Sequence, residues 1–103
     1  MFINFTGVTC TNCRWMEFNM FPKAAVTQAI NQYVPVELYT DRKNAGDIAN
    51  QKLRERLTGV PSNPVYVILS PDEEVLQVLQ GAEQDETKFL AFLNKAQSQV
   101  AKR

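Results

Sequence analysis

Phe2-Ile3-Asn4-Phe5-Thr6 runs into Gly7-Val8-Thr9-Cys10-Thr11-Asn12-Cys13, and the way these two pieces join decides how the rest of the chain is read. The first piece is rich in aromatic and β-branched residues and closes on a glycine, so it is expected to be a short strand. A helical pattern starts at about Thr11, which puts the only two cysteines where a strand hands over to a helix. A sulfur at the first turn of a helix faces backbone N–H groups without intrahelical partners and the positive end of the helix dipole. Both favour thiolate over thiol. Cys10 is therefore expected to be the reactive sulfur. Cys13, one turn deeper on the same face, is placed to attack a mixed disulfide formed at Cys10 and release the partner. Arg14 adds a cation close by.

Three other uses of the pair compete. A structural disulfide closing so short a loop removes little chain entropy, worth about 2 kcal/mol, a weak staple for a domain of this length. Half of a zinc site would need further ligands, and the chain has no histidine and no third cysteine. The third is a soft-metal carrier: Gly7-Val8-Thr9-Cys10-Thr11-Asn12-Cys13 is similar to the Gly-Met-Thr-Cys-x-x-Cys loop of heavy-metal-associated domains, whose two thiolates hold Cu(I).

With 103 residues the chain is read as one domain, residues 1–103, large enough for a single core. Its 11 basic and 11 acidic residues cancel, which removes the electrostatic case for nucleic acid or an anionic membrane as partner. No apolar run reaches the length needed to span a bilayer, and no signal peptide is present, so a soluble segment is expected, with no direct membrane insertion. It opens in a strand with a single Met before it, and is expected to be one domain of a longer protein.

From Thr11 to Phe21 the helix is apolar on more than one side, with Trp15, Met16, Phe18, Met20 and Phe21 expected in the core. Pro22 interrupts it, and a second segment, Lys23 to Gln32, is expected to turn Ala25, Val26, Ala29 and Ile30 inward. Val34 to Thr40 reads as a strand, with Val34, Val36 and Leu38 on one face and an edge position suggested by Pro35. Asn44 or Asp41 is expected to cap a helix from Ala45 to Leu57. Its predicted inner stripe is Ile48, Ala49, Leu53 and Leu57, with Lys52, Arg54, Glu55 and Arg56 on a solvated face. Gly59 ends it. After Val60-Pro61-Ser62-Asn63-Pro64, the run Val65 to Leu69 is apolar throughout and predicts a central strand buried on both faces. A turn over 70–74 leads into Val75 to Leu79, making an antiparallel hairpin. A last helix, Asp85 to Ala101, carries Phe89, Leu90, Leu93, Ala96 and Val100 inward and trails into Lys102-Arg103.

Strand, Cys-x-x-Cys at a helix start, and a proline before an apolar strand about fifty residues after Cys13 resemble the thioredoxin fold. The expected class is α/β, a four-stranded mixed sheet flanked by helices, lacking the N-terminal strand and helix of full thioredoxins. Within that fold the chain looks most like the soluble C-terminal domain of DsbD-type thiol:disulfide interchange proteins, membrane-anchored reductants of the bacterial cell envelope. Heavy-metal-associated domains instead run strand, helix, strand, strand, helix, strand, and end in a strand.

The resemblance implies roles residue by residue. Cys10 matches the nucleophile and Cys13 the resolving cysteine. Pro64 matches the cis-proline, with Pro61 the weaker match; there Asn63 and Pro64 would present a backbone edge to which a substrate chain pairs. Glu17, four residues after Cys13, matches a carboxylate kept near the resolving cysteine, where it would take a proton. Two positions depart from the pattern. Asn4 stands where a buried acid is usual, and an amide cannot take a proton at ordinary pH. Thr9 replaces a tryptophan on the rim that touches partners.

The implied activity is reduction of protein disulfides by a Cys10/Cys13 dithiol, with electrons from a membrane electron-donor domain passing to envelope proteins such as those maturing cytochromes. The expected place is the periplasmic face of the bacterial inner membrane, as a monomer. No metal, nucleotide or flavin is required, the redox-active disulfide Cys10–Cys13 being the only redox group. Two alternatives stay open at this stage: a Cu(I) carrier using the same pair, and a redox-silent thioredoxin-like interaction module.

Overall fold

A computed structural model describes the backbone of residues 1–101 and the side chains of residues 1–99. β-branched and aromatic residues dominate β1 (Phe2–Thr6) and β3 (Val65–Leu69), while β2 (Pro35–Tyr39) and β4 (Val75–Gln80) mix them with leucine and polar residues. The helices are α1 (Thr11–Trp15), continued by a π-helical turn over Met16–Met20, then α2 (Ala24–Ile30), α3 (Ala45–Thr58) and α4 (Glu86–Ala101). The sheet order is β2-β1-β3-β4. β1 and β2 are parallel, as a helical crossover requires, with Thr6 opposite Tyr39. β3 runs antiparallel to both β1 and β4.

Every residue of β1 and of β3 is buried, because these two strands are covered on both faces. On one face Phe2, Tyr66 and Ile68 meet Met16, Met20, Val26, Phe89, Phe92, Leu93 and Ala96. Tyr66 is the hub, stacked on Phe2 at 5.8 Å and edge-on to Phe89 at 5.6 Å. On the other face Ile3, Phe5, Val65, Val67 and Leu69 pack against Leu53 and Leu57 of α3, with Val36, Leu38 and Val60 alongside. The sheet is thus a rigid wall whose β1 and β2 carboxyl ends carry the loops described below.

Several helix faces differ from the periodicity reading. The π turn, closed by the Phe21 N–H on the Met16 carbonyl at 2.9 Å, buries Met16 and Met20 but leaves Phe18 75% exposed. Trp15 and Phe21 pack against the core as expected, though half-buried, whereas Ala25 is exposed and Val34 lies before β2, also exposed. The predicted stripe on α3 holds at Leu53 and Leu57 but not at its start. Ile48 and Ala49 face solvent, whereas Asp47 and Arg54 are buried, 1% and 6% exposed. A hydropathy count places charged residues outside; here each finds polar partners that offset part of the burial cost. Asn44, not Asp41, caps α3, its Oδ1 accepting the Asp47 N–H at 2.8 Å. The expected inward placement of Val100 lies outside the described side chains, as do Lys102 and Arg103 altogether. Among the described residues, no helix is long and apolar enough to cross a membrane.

Candidate dithiol site

Cys10 is the N-cap of α1, with extended backbone (φ −81°, ψ 107°) that turns the chain from β1 into the helix. Its Sγ accepts the Cys13 N–H at 3.1 Å, one of the otherwise orphaned donors of the first turn. The two sulfurs are joined as a disulfide with the Cα atoms 5.2 Å apart. They are not equivalent: Cys10 is partly exposed, whereas Cys13 is only 2% exposed. An N–H donated to a sulfur favours thiolate over thiol. The outer sulfur is thus positioned to meet a partner and the inner one to meet only the outer.

The loop ahead of Cys10 is held by Asp41. Its carboxylate accepts the N–H groups of Val8 (2.9 Å) and Thr9 (3.0 Å) and the Thr9 hydroxyl (3.1 Å). The Thr9 and Val8 amides, in that order, keep this carboxyl below its usual range. The contact follows from topology: β1 and β2 are parallel and in register, so residues just beyond their carboxyl ends lie side by side. Gly7 makes the room. A Cβ there would sit 2.8 Å from Asp41 Oδ2 and 3.2 Å from Asn63 Nδ2.

That second distance brings the loop before β3 to the cysteine loop. The Asn63–Pro64 peptide is cis, so Pro64 rather than Pro61 is the proline matching the resemblance. Pro64 is buried, and its carbonyl takes the Gly81 N–H at 2.8 Å. The Asn63 side chain is fixed at both ends, Oδ1 accepting from Arg54 Nη1 at 2.7 Å and Nδ2 donating to Thr40 Oγ1 at 2.7 Å. Its main-chain N–H and C=O take no hydrogen bond among the described residues.

Arg14 and Glu17 form a side-on pair, Nη2 to Oε1 at 2.9 Å and Nε to Oε2 at 2.8 Å. Arg14 also reaches Thr6 Oγ1 at 3.1 Å. The cation expected beside the sulfur is therefore engaged with a carboxylate and a hydroxyl. Glu17 is half-buried; burial of Tyr66, with a smaller contribution from the Glu17 charge, raises that phenol well above its ordinary value. Asn4 is 7% exposed on β1, beside Glu37 and Tyr66 in the sheet, and its Oδ1 has no partner among the described residues.

The predicted residues Thr9, Cys10, Cys13, Asn63 and Pro64 thus fall at one end of the sheet, with Glu17 a turn beyond Cys13 but bound to Arg14. The sequence reading missed Asp41 as a clamp and Arg54 and Thr40 as loop supports. Asp41 was traceable once β1 and β2 were taken as parallel. Arg54 carried no signal in the hydropathy pattern.

No family model and no curated protein matches this chain. Among solved structures it is similar to a thioredoxin from Thermus thermophilus, at 20% identity and a TM-score of 0.77, over 96% of this chain and 74% of that one. The fold is thioredoxin-like, with a Cys-x-x-Cys pair at the start of its first helix.

Proposed function

We propose that this chain is a thiol:disulfide oxidoreductase working as a reductant of protein disulfides. The observation that carries the reading is the asymmetric pair: a partly exposed Cys10, whose Sγ accepts a helix N–H, bonded to a buried Cys13. The Cys10 thiolate attacks a substrate disulfide, forming a Cys10–substrate bond and releasing one substrate thiolate. Cys13 then loses its proton and attacks Cys10 Sγ; the Cys10–Cys13 bond forms and the second substrate thiolate leaves. Two electrons pass to the substrate, and a dithiol donor returns the pair to its reduced form. Glu17 is the proposed acceptor of the Cys13 proton, held in place by Arg14, since Asn4 cannot take it. The unpaired main-chain groups of Asn63 are the proposed docking edge for an extended substrate segment, with Thr9 on its rim.

Resemblance to DsbD-type domains extends the proposal: electrons come from a membrane donor domain and go to envelope proteins at the periplasmic face. A Cu(I) carrier built as a heavy-metal-associated domain is not supported, because the Cys pair sits on a thioredoxin-like sheet. Insulin reduction with a dithiol donor tests the reading. The wild type turns over and Cys10→Ser does not; equal activity of the two contradicts it. Equilibration against glutathione sets direction, a reductant lying near thioredoxin's value of about −270 mV and an oxidant near about −120 mV.

A further inference from the structure

Arg54 lies on α3, on the opposite face of the sheet from α1, yet it is 6% exposed. Among the described residues its hydrogen-bond partners are all uncharged: Thr40 Oγ1 (3.1 Å) and Asn63 Oδ1 (2.7 Å) through Nη1, and the Pro61 carbonyl (3.0 Å) through Nη2. A guanidinium buried without a carboxylate in its hydrogen-bond shell is costly, and burial pulls it below its ordinary value, with Glu55 offsetting only part. A side chain needed only to fill that space would be apolar. What the cation does instead is bridge three points, the end of β2 at Thr40 and both sides of the 61–63 loop. Its planar fork suits that task, because several donors leave one rigid group in fixed directions.

The consequence falls on Asn63. With Oδ1 on Arg54 and Nδ2 on Thr40, the amide cannot swing back to bond its own backbone or the neighbouring Gly7 loop. Its main-chain N–H and C=O are left to an incoming strand. Thr40 passes the support onward, its hydroxyl donating to the Thr6 carbonyl at 3.1 Å at the base of the cysteine loop.

We infer that Arg54 is a positioning residue that fixes the 61–63 loop as a backbone-pairing edge, so that protein disulfides in extended segments are favoured over small disulfides. This rests on the oxidoreductase reading above and adds the residue that fixes its docking edge.

The test compares two substrates, insulin and the small aryl disulfide dithionitrobenzoate, for the wild type, Arg54→Met, Arg54→Lys and Thr40→Val. Arg54→Met is expected to raise KM for insulin about tenfold, with kcat and the dithionitrobenzoate rate within about twofold of wild type. Arg54→Lys, which keeps charge but not the fork, is expected to fall between. Thr40→Val, close in size and lacking only the hydroxyl hub, reproduces the KM rise and carries the test should Arg54→Met fail to fold. Unchanged KM in Thr40→Val and in any folded Arg54 variant overturns the inference alone. So does equal loss on both substrates, which would tie Arg54 to the sulfurs or to the fold. A wild type inactive on insulin overturns the oxidoreductase reading and this inference together.

Discussion

Gly7 and Asp41 show how much of the site rests on single atoms. Adding a methyl at Gly7 pushes against a carboxylate that is already spoken for by two amides and a hydroxyl, so the loop and the carboxylate must separate. Gly7→Ala is expected to cost about 1 kcal/mol in urea unfolding, the worth of a hydrogen bond or so. In an Asp41→Ala background most of that added cost disappears, and additive losses in the double variant would place the strain elsewhere. Asn4 offers the converse experiment. Asn4→Asp puts a carboxylate where one oxygen already lacks a partner, so it is expected to destabilise the fold by about 1–3 kcal/mol at neutral pH, and by less in acid as the new group is protonated. An unchanged midpoint at both pH values would mean that the position is wetter than its burial indicates.

The elements were legible to different degrees, for physical reasons. β1 and β3 stand out in the sequence because burial on both faces removes the need for polar alternation, and both were found with their boundaries. The turn at Pro22 and the stop at Gly59, whose φ is 71°, follow from what those residues allow and forbid. The faces of the helices were less readable. Periodicity assumes 3.6 residues per turn and apolar residues inside, and the chain breaks the first rule at Met16–Met20 and the second at Asp47 and Arg54. Asp47 is buried because Arg42 reaches it with Nε and Nη2, both at 2.9 Å, which, with its own burial opposing, keeps this carboxyl below its ordinary value of 3.8. A lowered folded value means that the contribution to stability is whole above 3.8 and lost as the pH falls through the lowered value. Asp47→Asn is therefore expected to lower Tm at pH 7, with the gap to wild type closing below about pH 4. A gap independent of pH would show that the ion pair contributes nothing beyond shape.

For the whole molecule, the decisive feature is that a parallel β1–β2 pair and an antiparallel β3 bring three loops together at one end of the sheet. One carries the sulfurs, one the clamping carboxylate, one the proposed docking edge. The sequence revealed the sulfurs because cysteine is rare in it, and narrowed the proline to Pro64 or Pro61 because both stand just ahead of an apolar strand. It did not reveal the polar ties from Asp41, Thr40 and Arg54, whose partners are far apart in the chain and common in composition. Asp41 holds the loop ahead of Cys10, and Thr40 and Arg54 hold the 61–63 loop, while the start of α1 sets Cys10 outward and Cys13 inward, the order on which the proposed chemistry depends. Trapping tests it most directly. Reduced Cys13→Ser protein, mixed with insulin and quenched in acid, should carry a covalent adduct on Cys10 by mass spectrometry, while Cys10→Ser protein treated alike carries none. An adduct forming as readily on Cys13 in the Cys10→Ser protein would contradict the assignment of nucleophile and resolver.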